Sequence, residues 1–319
     1  MFISKKKIVA LAASVAALAI TATSFTPAQA APKNQARSVV QADWLEKNLD
    51  DPKVVVIEVS TEPGIYERGH IKNSIKLVWH TDLVDTVNRD IISQAKFTAL
   101  VQKAGIDEDT TVVLYGDKNN WFAAWGAWIF NIYGQKDVRV LDGGRVKWEK
   151  DGRALTTAVP TFKAGNFVAK AADKNLRATL SRDVLPVAKK ERKATLIDIR
   201  SADEFSGKIF APAGFQELAV RAGHIPGAIN VPWGLNVNSD GTFKTVAELK
   251  KLYADKGVTG ADQIITYCRI GERSSLTWFV LSEILGFSRV KNYDGSWTEY
   301  GNSVGAPISN PAGTIWGSL

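Results

Sequence analysis

One cysteine occurs in the 319 residues, Cys268, at the head of the stretch Cys-Arg-Ile-Gly-Glu-Arg over residues 268–273. It follows the apolar run QIITY and precedes SSLTWFVLSEILG, so it opens a short turn between a strand and a helix. Such a turn can direct successive backbone N–H groups inward as an anion-binding nest. The following helix start adds partial positive charge. Gly271 permits the tight path, and Arg269 and Arg273 add two full charges. All of these favour thiolate over thiol, and the thiolate is the nucleophile, so Cys268 reads as a reactive group with a lowered pKa. The alternative role, a small buried hydrophobe, suits a cysteine inside a strand better than one opening a charged loop.

Several neighbours in sequence have candidate supporting roles. Asp198 ends the strand ATLID and is placed either to pair with Arg269 or to cap the next turn. Arg200 reads as a solvated surface charge. Ser274 and Ser275 are candidates to donate a hydroxyl to the sulfur or to cap the helix. Trp233 and Trp297 read as core or pocket wall. The three histidines, His70, His80 and His224, together with one cysteine offer no zinc spacing, so no metal is expected.

Bulk features narrow the classes further. Lys5, Lys6 and Lys7 precede the 13-residue apolar run IVALAASVAALAI and an Ala-Gln-Ala ending at Ala30, the pattern of a secretory signal peptide. The run is too short to span a bilayer. The expectation is an exported chain (periplasmic or extracellular), cut near Ala30, with no membrane span afterwards. Loss of three lysines lowers the formal charge from +7 to +4. Basic and acidic residues are interspersed, without the basic stripe that nucleic acid requires. An unpaired cysteine in an exported protein points to a reactive thiol or an intermolecular bridge.

The elements that must position this loop occur twice. Glu58 in VVVIEVS falls on Asp198 in TLIDIRS at an offset of 140, and His70 falls on His224 at an offset of 154. Residues 112–134 then align without gaps on 264–286 at an offset of 152, followed by VRVLDGG on VKNYDGS. The extra residues of the second copy fall in GKIFAPAGFQELAV, 207–220. Each copy alternates strand and helix, which implies an α/β fold: a parallel sheet with helices on both faces. The helix expected in TVAELKKLYADKG begins at a Thr245 cap and stops at Gly257, and the one after the loop begins near Ser274 and ends at Gly286. The boundaries read as signal 1–30, first domain 31–154, linker 155–179 and second domain 180–319. Gly116 occupies the place of Cys268 in the first copy, so the first domain has no thiol there. His70 is kept there without a cysteine, which argues that His224 is structural too. Asp142-Gly143 and Asp294-Gly295 read as turns.

The stretches YCRIGERSS, LIDIR, GHIPGAINVPW and NYDGSW, set in this duplication, resemble the rhodanese family in its tandem-domain bacterial form. The resemblance covers nearly all of the chain beyond the signal. It implies a thiosulfate sulfurtransferase with an inactive first domain, in which Cys268 becomes a persulfide inside a substrate-binding loop formed by Arg269, Ile270, Gly271, Glu272 and Arg273. Thiosulfate would donate its outer sulfur and release sulfite, and cyanide, a thiol or a protein acceptor would take the sulfur. Vertebrate members have lysine and threonine where Ile270 and Arg273 stand, and a substrate-binding arginine at Glu204, which leaves thiosulfate to Arg269 and Arg273. Members that use 3-mercaptopyruvate show Cys-Gly-Ser-Gly-Val-Thr, which makes that donor the second choice. The remaining alternatives are a persulfide carrier and a Cys-loop phosphatase. Phosphatases on this fold place five residues between cysteine and arginine, against four between Cys268 and Arg273.

Overall fold

The structure, a computed structural model, describes residues 35–216 and 218–316. The signal expectation lies outside the described residues. Among the described residues ten strands form two five-stranded sheets. The first contains β1 (Val39–Val40), β2 (Val54–Glu58), β3 (Ser74–Lys76), β4 (Thr111–Tyr115) and β5 (Asp137–Leu141), in the order β1-β5-β4-β2-β3. The second contains β6 (Arg177–Ala178), β7 (Thr195–Asp198), β8 (Ile229–Asn230), β9 (Ile264–Tyr267) and β10 (Val290–Tyr293), in the corresponding order β6-β10-β9-β7-β8. Every pairing within the sheets is parallel.

Alternation along the strands explains why both faces carry helices. In β2, Val55 and Ile57 enter one core, while Val54 and Val56 enter another with Leu45 and Trp148 from the helices Ala42–Asn48 and Gly144–Lys150. In β9, Ile264 faces Leu249, Tyr253 and Leu276, and Ile265 and Tyr267 face Val184, Trp297 and Tyr300. The inner faces of the two sheets share one core. Its centre is the helix Trp121–Ile132 of the first copy, packed on Glu272–Phe279 of the second. The two copies are joined by buried apolar surface rather than by a tether.

The local signals act as expected in the helix Val246–Ala254. Thr245 and Glu248 exchange side-chain and backbone hydrogen bonds as a capping box. The helix after the loop differs from expectation. It begins at Glu272, two residues before Ser274, because Gly271 at φ +103° turns the chain into it. Glu272 and Arg273 therefore lie in its first turn. The segment read as a linker is partly structural: Phe167 and Ala169 are buried in the shared core, and Arg177–Ala178 is the edge strand β6. No helix among the described residues is long and apolar enough to cross a membrane.

Candidate active site

Cys268 follows β9, the central strand of its sheet, where the carboxyl ends of parallel strands collect ligands. Its side chain is fully buried. The Gly271 N–H donates to Sγ at 3.1 Å. The Glu272 carboxylate lies on the other side, with Oε2 3.6 Å from Sγ. The backbone of the cysteine is pinned from the loop after β10. The Cys268 N–H donates to Ser296 Oγ at 3.0 Å, and the Trp297 N–H donates to the Cys268 carbonyl at 3.0 Å. Ser296 has φ +50°, unusual for a serine, and its hydroxyl donates to the Tyr293 carbonyl at 2.7 Å.

The electrostatics differ from the sequence expectation. Burial pushes the Cys268 thiol up, and the Glu272 carboxylate pushes it further. Arg273 and the amides of Ser274 and Gly271 oppose this without cancelling it. The balance of these causes favours the thiol over the thiolate, and the Glu272 carboxyl group lies beside it. The loop lowers the cost of the thiolate less than its two arginines suggest, because neither is free. The Arg273 guanidinium lies 3.3 Å from Glu204 and 3.8 Å from Glu272. Arg269 donates to the Gln216 carbonyl and stands 5.4 Å over the Phe215 ring, both in the inserted segment 207–220. Glu272 faces the sulfur and also lines the cavity over the loop.

Asp198 does not orient Arg269. Its carboxylate is buried against Arg200, with Arg200 Nη2 at 2.6 Å, and Arg200 also donates to the Gly223 carbonyl at 2.7 Å. Arg200 is thus a buried partner and not a surface charge; its side chain is 1% exposed. The first copy repeats the arrangement with Glu58. There Arg145 binds Glu58 at 2.9 Å and the Gly69 carbonyl at 2.6 Å. A carboxylate–arginine pair present with or without the thiol belongs to the framework. The histidines agree: His70 stacks on Tyr66 and His224 on Phe205, each with Nδ1 against the carbonyl of its ring partner.

The serine hydroxyls also point away from the sulfur. Ser274 Oγ donates to the Gly271 carbonyl or Asn292 Oδ1, and Ser275 Oγ to the Glu272 or Trp121 carbonyls. Ser296 is the hydroxyl beside the cysteine, 4.0 Å from Sγ. Comparison of the copies carried the signal, since Gly144 stands at its place in the first. The first copy cannot take a cysteine at all. A Cβ on Gly116 would collide with the Val59 carbonyl, and the loop space holds the Asn120 side chain, bonded to the Gly116 N–H at 3.0 Å.

A cavity of about 370 Å³ lies over the loop. Arg269, Glu272 and Arg273 form its floor, Trp233 and Phe215 its wall, and Trp121 reaches in from the first copy. Trp121 and Trp233 meet edge to face at 4.7 Å. Trp297, by contrast, is core, with Arg200 4.7 Å over its ring.

The model of the rhodanese-like domain matches the chain twice, over residues 41–151 and 183–303. The chain belongs to the rhodanese family. Rhodaneses are sulfurtransferases, and the enzyme class follows from that membership. A protein of Mycolicibacterium smegmatis that carries the provisional name thiosulfate sulfurtransferase is 52% identical over 271 residues, 85% of this chain and 96% of its own. The sulfur carrier protein TtuD of Thermus thermophilus is 50% identical over 274 residues, again 85% and 96%. Among solved structures, a 3-mercaptopyruvate sulfurtransferase of Escherichia coli superposes with a TM-score of 0.68 at 28% identity, covering 81% of this chain and 98% of its own.

Proposed function

We propose that this rhodanese moves the outer sulfur of thiosulfate to a small nucleophile through a persulfide on Cys268. The observation that carries the reading is the buried Cys268 thiol between an amide donor, Gly271, and the Glu272 carboxyl group, which itself lines a cavity together with Arg269 and Arg273. Glu272 takes the thiol proton as Sγ attacks the outer sulfur. A new S–S bond forms on Cys268, the S–S bond of thiosulfate breaks, and sulfite leaves with the bonding electron pair. Arg269 and Arg273 border the space where charge collects on the leaving group. The Gly271 N–H, already aimed at the sulfur, serves the persulfide anion. Cyanide or a thiolate then attacks the terminal sulfur, which departs as thiocyanate or an acceptor persulfide and returns Cys268 to the thiolate. The step draws on no bound cofactor, and transfer is ping-pong.

Within the cavity the charges of Arg269 and Arg273 face those of Glu204 and Glu272. That balance, and the 50% identity to a sulfur carrier protein, support a second reading in which a protein thiol takes the sulfur. Four residues between Cys268 and Arg273 make a smaller ring than the phosphatase loop. The amino-terminal pattern Lys5–Lys7 and the apolar run to Ile20 support export.

The test is thiocyanate formation from thiosulfate and cyanide by the purified chain, beside 3-mercaptopyruvate and an aryl phosphate. Thiosulfate should add one sulfur to the intact mass, and Cys268→Ser should abolish both the adduct and thiocyanate. Turnover of the phosphate ester without thiocyanate would overturn the reading.

A further inference from the structure

The first copy lacks a thiol, yet one of its side chains reaches the catalytic loop. Arg89 Nη2 donates to the Ile270 carbonyl at 2.7 Å. The N–H of that same peptide unit belongs to Gly271 and donates to Cys268 Sγ at 3.1 Å. In a planar trans peptide the C=O and N–H point in opposite directions, so whatever grips the oxygen also aims the hydrogen. We propose that Arg89 is a positioning residue for Cys268, holding the Ile270–Gly271 peptide so that its N–H is directed at the sulfur. This rests on Cys268 being the nucleophile.

Three further observations carry the proposal. Arg89 has φ +55°, an uncommon conformation for a long side chain, of the kind that persists where surrounding structure imposes it. The surroundings do so: Val84 and Ile91 are bridged, and Asp85 Oδ1 accepts from the Val87 and Asn88 N–H groups, both at 2.9 Å. The guanidinium lies over Trp79 at 5.7 Å and Trp125 at 5.8 Å, which fix its plane. Trp125 is also the ring that a Cβ on Gly271 would strike, so it sets the path of the loop from the same side. Finally, Asp90 pairs with Arg177, which holds Asp294 through two contacts of 2.9 Å. Asp294 lies two residues before Ser296, the acceptor of the Cys268 N–H. The turn thus ties down both segments that surround the sulfur.

A cation on the carbonyl also polarises the amide. The guanidinium draws density to the Ile270 oxygen and strengthens the Gly271 N–H as a donor to a thiolate or persulfide. The charged groups that face the sulfur directly are Glu272 and Arg273, with Glu204 behind Arg273. These stay in place in every variant below, so a shift reports the loss of the Arg89 guanidinium from the Ile270 carbonyl.

The test is the rate of iodoacetamide alkylation against pH. It reads one site, since Cys268 is the only cysteine, and needs no sulfur donor. A failure here therefore leaves the assignment of the nucleophile standing, and loss of that assignment would show in Cys268→Ser instead. In Arg89→Ala the midpoint should move to higher pH, and alkylation at pH 7 should fall about tenfold, the size of one hydrogen bond to a charged group. The kcat for sulfur transfer should fall with it more than KM rises. Arg89→Lys should lie closer to the parent than Arg89→Gln, because it keeps a cation for the carbonyl. If Arg89→Ala does not fold, that ordering of the lysine and glutamine variants decides. A lowered melting temperature with an alkylation curve that overlays the parent would mean that Arg89 only joins the halves, and would overturn the proposal, as would lysine and glutamine variants that both match the parent.

Discussion

Replacing Glu272 by glutamine separates two effects that the sequence combines. In the parent, Glu272 Oε2 lies 3.6 Å from Cys268 Sγ, and both groups are buried. At that distance, and at the effective dielectric suited to protein sites, a unit-charge pair interacts by about 4–5 kcal/mol. Arg273, 3.8 Å from the same carboxylate, already offsets part of this repulsion. Roughly 1.5–3 kcal/mol should survive as the penalty that Glu272 places on the thiolate, which is about 10- to 100-fold in its population. The sign follows from the causes: burial and Glu272 raise the Cys268 thiol, so removing the carboxylate lowers it. The parent should alkylate slowly at neutral pH, its rate climbing far into the alkaline range. Glu272→Gln should climb at lower pH and react 10- to 100-fold faster at pH 7. Stopped-flow alkylation with iodoacetamide across pH measures this on the single thiol. Superimposed curves, or a variant shifted to higher pH, would show that Glu272 does not raise the Cys268 thiol.

Two further substitutions test the division between framework and chemistry. Asp198→Asn leaves Arg200 buried without its charge partner, and the cost should be about 3 kcal/mol or more in urea unfolding. The alkylation curve of the folded variant should not move, and a shifted curve would return Asp198 to the site. Gly271→Ala adds a Cβ 2.7 Å from both Asp294 Cα and the Trp125 ring, at φ +103°. The misdirected amide should cost roughly 100-fold or more in thiocyanate formation, with far-UV circular dichroism unchanged, by analogy with removal of one oxyanion donor. Activity within a few-fold of the parent would show that the Gly271 N–H is dispensable.

The strand–loop–helix placement of Cys268, the duplication and the parallel sheets were legible because they rest on local periodicity and on comparing one half of the chain with the other. The contrast between Cys268 and Gly116 was legible for the same reason, and the collision of a Gly116 Cβ with Val59 is its physical basis. Charge was not. Arg269 and Arg273 read as free cations because a linear chain does not say which carboxylate meets which guanidinium. Folding brings Glu204 from 69 residues away onto Arg273, and turns Asp198 toward Arg200 rather than Arg269. Ionisation depends on burial and on distances of a few ångströms between such remote residues, so even the direction of the Cys268 shift followed from packing. The contributions of Trp121 and Arg89 depend on how the two copies face one another across their shared core. No local pattern encodes that contact, because it is made by two surfaces whose residues lie more than 140 positions apart.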